Sequence, residues 1–124
     1  MQHILLDTSI LIESQRNKNV QHILQQQEKH LVLSRIVAYE LIQGSKTKTQ
    51  KKQNLELLRH IPILELNETI SKKAFHLMCA FIPGKPLSIP DALVATTAIE
   101  YHCALWTKNM KDFSGITGLT LYQP

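Results

Sequence analysis

Four acidic residues, Asp7, Glu40, Asp91 and Asp112, stand where a carboxylate is out of keeping with its neighbours. Asp7 follows the apolar run Ile4-Leu5-Leu6 and precedes Ile10-Leu11-Ile12. Glu40 falls on a stripe made by Leu33, Ile36, Val37, Leu41 and Gly44 at three- and four-residue spacing. Asp91 lies three and four residues ahead of Val94 and Ala95, so it shares their buried face. Asp112 follows the apolar stretch Ala104-Leu105-Trp106. A carboxylate among apolar side chains is costly unless it is paired, hydrogen-bonded or bound to a cation. Four brought together would repel and raise one another's pKa unless a cation neutralised them. Hard divalent ions with oxygen ligands do this, magnesium through few carboxylates with several waters retained. Such ions activate water for in-line attack on phosphorus.

Three of the acids also have a plainer reading. Asp7 suits a helix N-cap or a turn, Glu40 a buried ion pair with Arg35 or a distant lysine, and Asp91 an acid that complements a helix dipole. The hydroxyls of Thr8 and Ser9 are placed to orient the Asp7 carboxylate, hold water, or cap the helix that begins near Ile10.

The elements that position these groups alternate between strand and helix. Ile4-Leu5-Leu6 reads as a buried parallel strand with Asp7 at its carboxyl end, the edge where open α/β sheets bind ligands. Ser9 to about Gln15 reads as a short helix, Gln15 to Asn19 as a polar turn, and Val20 to Glu28 as a second helix. His30-Leu31-Val32-Leu33 supplies a second strand, and Ser34 caps the helix carrying Glu40. Gly44 ends or bends that helix, and the lysine-rich stretch to His60 continues as an exposed helical hairpin. Ile61 to Leu66 reads as a third strand with Pro62 at its start or on an edge. Asn67 caps a long helix to about Phe81 with Ile70, Ala74, Leu77, Met78 and Phe81 inward. Pro83, Gly84 and Pro86 break the chain, and Pro90 suits the first position of the helix bearing Asp91. Ala104 to Thr107 and Leu119 to Tyr122 complete the strands. The alternation predicts one α/β domain over residues 1–124, a parallel sheet covered on both faces.

Composition agrees. With 44% hydrophobic and 19% charged residues, the chain is ordinary for a globular protein and argues against disorder; a chain of this length buries roughly two thirds of its unfolded surface. No apolar run approaches the ~18 residues of a membrane span, and the first residues lack a basic signal-peptide region, so a cytoplasmic protein is expected. Cys79 and Cys103 read as reduced core residues, and the six histidines show no zinc-like spacing. The net charge of +4 is concentrated: Lys46, Lys48, Lys51 and Lys52 crowd one short segment. A solvated helix face is the plain meaning of such a run. Beside a carboxylate pocket, the same charge holds a polyanion that the pocket repels.

Asp7-Thr8-Ser9, Ala38-Tyr39-Glu40-Leu41, Pro90-Asp91-Ala92-Leu93-Val94-Ala95 and Thr107-Lys108-Asn109 with Asp112-Phe113 together resemble the PIN-domain ribonucleases. Most similar are the small VapC-type toxins of toxin–antitoxin pairs, and the resemblance runs to the terminal Gly118-Leu119-x-Leu121. It implies a three-layer α/β sandwich with about five parallel strands and a magnesium- or manganese-dependent endoribonuclease acting on structured or translating RNA. It also implies a homodimer, within a larger toxin–antitoxin assembly where one forms, inhibited by a co-expressed antitoxin. Carried over to this chain, Asp7 and Asp91 are the principal metal ligands, Glu40 completes the acidic centre, and Asp112 serves a weaker second-metal side. Thr8, Ser9, Thr107 and Asn109 are supporting groups. Lys46, Lys48, Lys51, Lys52 and Lys108 are candidate nucleic-acid contacts, although arginine is commoner in the family where Lys108 stands, which weakens bidentate phosphate binding there.

Three other readings compete. A non-catalytic PIN-fold module that binds RNA or protein is disfavoured because all four acids are present. An RNA-processing nuclease without an antitoxin differs from a toxin in its neighbouring reading frame. A phosphatase using Asp7 as nucleophile, of the haloacid-dehalogenase kind, needs a second Asp two residues on, where Ser9 stands.

Overall fold

Short apolar runs bounded by capping residues build the framework. Ile4–Leu6 form β1, Leu31–Ser34 β2, Ile63–Leu64 β3, Ala104–Trp106 β4 and Thr120–Leu121 β5. Between them lie α1 (Thr8–Ser14), α2 (Lys18–Gln26), α3 (Arg35–Gln43), α4 (Lys48–His60), α5 (Glu68–Phe81) and α6 (Ile89–Glu100). This computed structural model describes residues 2–124. The five strands form one all-parallel sheet in the order β3-β2-β1-β4-β5. The chain winds outward from β1 to β3, then α5 and α6 carry it back to β4 on the other side of β1. That reversal makes the carboxyl ends of β1 and β4 the switch point at which open α/β sheets form crevices. The arrangement is the three-layer α/β sandwich expected.

The central strands are apolar on both faces because helices cover both. Leu5, Leu6, Leu33 and Leu105 are wholly buried, each contributing about 1.5–3 kcal/mol by transfer from water. Capping fixes where the helices start. Ser34 Oγ accepts the Ile36 N–H (3.3 Å), Asn67 Oδ1 the Ile70 N–H (2.8 Å) and Thr47 Oγ1 the Gln50 N–H (3.0 Å). Helix α6 runs through the interior, with Ala92, Val94, Ala95, Thr96, Thr97 and Ala98 all buried. Among the described residues, no helix is long and apolar enough to cross a membrane.

Several boundaries differ from expectation. Helix α1 starts at Thr8, because Asp7 itself caps it, and Asn17 starts α2 early by accepting the N–H groups of Asn19 and Val20. The stretch Lys48–His60 is one helix packed on α3, not a hairpin. The third and fifth strands shrink to two residues each, since each pairs with one neighbour only. Ser88 caps α6, which puts Pro90 at its second position. Cys103 is buried as expected, but Cys79 is exposed. Nine residues separate Cys79 from buried Ile70, about half a turn out of phase, so it faces away from the core.

Candidate active site

Asp7 is nearly buried, at 6% exposure, and its carboxylate is fixed on both oxygens. Oδ1 accepts the Thr8 N–H (2.9 Å), while Oδ2 accepts Ser9 Oγ (2.8 Å) and Thr107 Oγ1 (2.7 Å). The cap reading of Asp7 therefore holds, and its second oxygen is oriented by two hydroxyls. The same hydroxyls bind the chain beyond β4. Ser9 Oγ accepts the Lys108 N–H (3.1 Å) and Thr107 Oγ1 the Asn109 N–H (3.0 Å). The turn after β1 and the turn after β4 are thus stitched into one rim.

Glu40 projects from α3 toward that rim. Its Oε1 accepts Thr8 Oγ1 at 2.8 Å, which satisfies the carboxylate without an ion pair. Arg35 is engaged elsewhere, through its Nε to Glu65 at 2.8 Å. Asp91 lies in the first turn of α6, where Ser88 Oγ accepts its N–H (3.2 Å). Burial raises the Asp91 pKa above the ordinary carboxylate range, and repulsion from Asp7, Asp112 and Glu40 adds to the rise. The Ser88 hydrogen bond opposes it. Asp112 sits exposed on the 3-10 turn Met110–Phe113, which buried Phe113 pins to the core. The fold has thus drawn Asp7, Glu40 and Asp112, far apart in sequence, to within Coulombic reach of Asp91.

The PIN domain family matches residues 4–118. The chain belongs to the PIN-domain family. This PIN domain is similar to the VapBC2 complex of Rickettsia felis bound to a promoter DNA fragment (25% identity, 98% of each chain covered, TM-score 0.84). It is also similar to VapBC-1 of nontypeable Haemophilus influenzae (27% identity, 98% of each chain, TM-score 0.82). A toxin–antitoxin complex from Klebsiella pneumoniae matches at 27% identity over 98% of this chain and 99% of that one, with a TM-score of 0.79. No curated protein matches the chain.

The donor set of this PIN domain fits a hard divalent ion. Carboxylate and hydroxyl oxygens line the rim, where burial first and like charge second raise the Asp91 pKa. The four acids are not a finished cage, since among the described residues no three acids, histidines or cysteines are placed to hold one ion together. Such spacing suits an ion bound through one or two carboxylates, with water completing its coordination.

Lys46, Lys48, Lys51 and Lys52 are all exposed, and none forms an ion pair among the described residues. Lys46 lies just before α4 and the other three crowd its N-terminal half, whose first turn has no acid. Cations there oppose the helix dipole, so the arrangement favours anion binding over helix stability. Lys108 is different. Its Nζ is held by Glu13 Oε2 at 2.8 Å. Nothing in the sequence singles out Glu13 for this role, and two other supporting groups also lie outside the motifs. Ser88 is legible as the start of a Ser-x-x-Asp capping box. Lys85, whose Nζ reaches Ser114 Oγ at 2.8 Å and so ties the loop before α6 to the turn bearing Asp112, leaves no sequence signal.

Proposed function

We propose that this PIN domain is a magnesium- or manganese-dependent endoribonuclease and the toxin of a toxin–antitoxin pair. The observation that carries the reading is the gathering of Asp7, Glu40, Asp91 and Asp112 at the sheet's switch point, where Asp91 is held by burial and like charge above its ordinary pKa. A bound divalent ion supplies Lewis acidity that makes water nucleophilic and offsets charge developing on phosphorus. The chain's own residues do the positioning. Ser9 and Thr107 lock the orientation of Asp7, Thr8 aims Glu40, and the lysines of α4 draw phosphates toward a rim that otherwise repels them.

The toxin assignment is supported by the toxin–antitoxin complexes among its structural neighbours. A cationic antitoxin segment entering the acidic rim in place of the ions is the electrostatically matched inhibitor. The homodimer expected for the family has a candidate face between α5 and α6. There Phe75 and Ile89, 65% and 64% exposed, flank an apolar groove of about 460 Å³.

Purified protein incubated with RNA and magnesium tests the reading, with Asp7→Asn, Asp91→Asn and chelator as controls. Cleavage that depends on the metal and on both acids is expected. Cleavage unchanged by either substitution or by chelator rules the assignment out. The dispersed spacing of the acids favours one second reading, a binding module that cleaves nothing. Tight RNA or antitoxin binding with no metal-dependent product identifies it.

A further inference from the structure

A cleft of about 270 Å³ opens between α1 and the turn joining α3 to α4, with Thr8 and Glu40 in its wall. Thr8 also neighbours Asp7, so an occupant of the cleft lies against Glu40 and beside the turn that bears Asp7. We propose that this cleft is a base subsite, holding one unpaired RNA base next to the scissile phosphate. The proposal rests on the ribonuclease reading above.

Three features of the lining argue for a base. Ile12 lines the cleft and is 51% exposed, an apolar surface on which an unstacked base can lie. Gln50 has free donors: its Oε1 already accepts the Lys46 N–H at 2.7 Å, while its Nε2 donates to no described residue. Asn54 offers the reverse. It is buried, and its Nδ2 donates to Leu41 O (3.2 Å) and Ser45 Oγ (2.9 Å), which leaves Oδ1 as its open acceptor. A nearly enclosed acceptor beside a committed donor suits the mixed donor–acceptor edge that single-stranded bases present to proteins.

Lys46 decides between RNA and a peptide. It lines the same cleft and has no ion pair among the described residues. It also stands beside the N-terminus of α4, where the helix dipole adds positive potential. A cationic peptide tail satisfies Glu40 in the same wall but leaves Lys46 opposing it, whereas the phosphate flanking a bound base is attracted by Lys46.

The test uses the full chain with magnesium and a randomised single-stranded RNA pool. A second arm follows the side-chain amide resonances of Gln50 and Asn54 by NMR as a phosphorothioate dinucleotide is added. Gln50→Glu is the informative variant, because it keeps the acceptor for the Lys46 N–H while removing the donors. The loss of one hydrogen bond to a base is expected to raise KM about fivefold with kcat within about twofold. The base preference at one position adjoining the cut flattens, and the dinucleotide shifts both amides. Ile12→Ala, at an exposed position that tolerates substitution, raises KM too. An unchanged KM and base distribution in Gln50→Glu, with metal-dependent cleavage intact, overturns the subsite and leaves the nuclease reading standing. Amide shifts with the dinucleotide but no cleavage of any RNA support the subsite and overturn the nuclease reading. Shifts caused by a lysine-rich peptide but not by the dinucleotide assign the cleft to a protein partner and overturn the subsite.

Discussion

The Thr107 hydroxyl donates to Asp7 Oδ2 at 2.7 Å, joining the residue after β4 to the residue after β1 across the switch point of the sheet. Thr107→Val keeps the side-chain shape and deletes the donor. Hydrogen bonds to charged groups are worth about 1.5–3 kcal/mol, so the stability measured by chemical denaturation should fall by a matching amount. Misorientation of Asp7 should also lower metal-dependent RNA cleavage by at least about tenfold. A variant that unfolds and cleaves like the parent would show that the bond orients nothing.

Asp91 feels Glu40 as one of three repelling carboxylates, so Glu40→Gln should lower the Asp91 pKa. The linkage sign is definite. A carboxyl whose folded pKa is raised favours the folded state below its unfolded value, near 3.8. That contribution is lost as pH rises through the folded pKa. Without metal, Asp91→Asn should therefore be more stable than the parent at neutral pH, with the advantage vanishing below about pH 4. Thermal unfolding in chelator at both pH values checks this, and equal midpoints throughout would refute it.

Glu13 is the opposite case. Its hydrogen bond to Lys108 is the main cause holding its pKa down at about 2, with Asn17 and Arg16 assisting. Its stabilising contribution is present above the usual value of 4.5 and is lost as pH falls toward 2. Lys108→Met should shift the Glu13 carboxyl titration, followed by NMR, upward toward 4.5. An unmoved titration would show that the pair does not persist in solution.

Replacing Lys46, Lys48, Lys51 and Lys52 by alanine should weaken RNA binding uniformly across sequences. The salt dependence of log K should flatten by roughly 0.7 for each phosphate of a single strand that is no longer neutralised. Fold stability should not fall, because cations near the start of α4 oppose its dipole. The single change Lys48→Glu should stabilise by about 0.3–1 kcal/mol. An unaltered salt slope would remove these lysines from the RNA path.

Gly118 adopts a φ of +86° in the turn leading to β5. A Cβ there meets only Ile99 Cγ2 at 3.9 Å, so the cost of Gly118→Ala is backbone strain, about 1–2 kcal/mol. Chemical denaturation measures it, and a neutral substitution would contradict the assigned conformation.

The acids are legible in the sequence because each violates a local pattern that the fold then explains. Asp7 ends an apolar strand, and Glu40 interrupts an apolar helical stripe. Their partners are less so. That Thr8 rather than Arg35 satisfies Glu40 depends on where α1 begins, and Asp7 moves that start forward by acting as its cap. The Lys108–Glu13 pair joins residues at opposite ends of the chain, a pairing that only the adjacency of β1 and β4 creates. The exposure of Phe75, Ile89 and Cys79 escapes the sequence for another reason. Hydrophobicity says which side chains prefer burial, not which helical face is left without a neighbour.

The sheet order also has a temporal meaning. Asp7 is synthesised about a hundred residues before Thr107, which completes its hydrogen bonding. A nascent polypeptide still attached to its ribosome lacks the finished rim until β4 has emerged and docked. A chain broken off before β4 therefore leaves the Asp7 carboxylate without its Thr107 partner and the turn after β1 without its stitch.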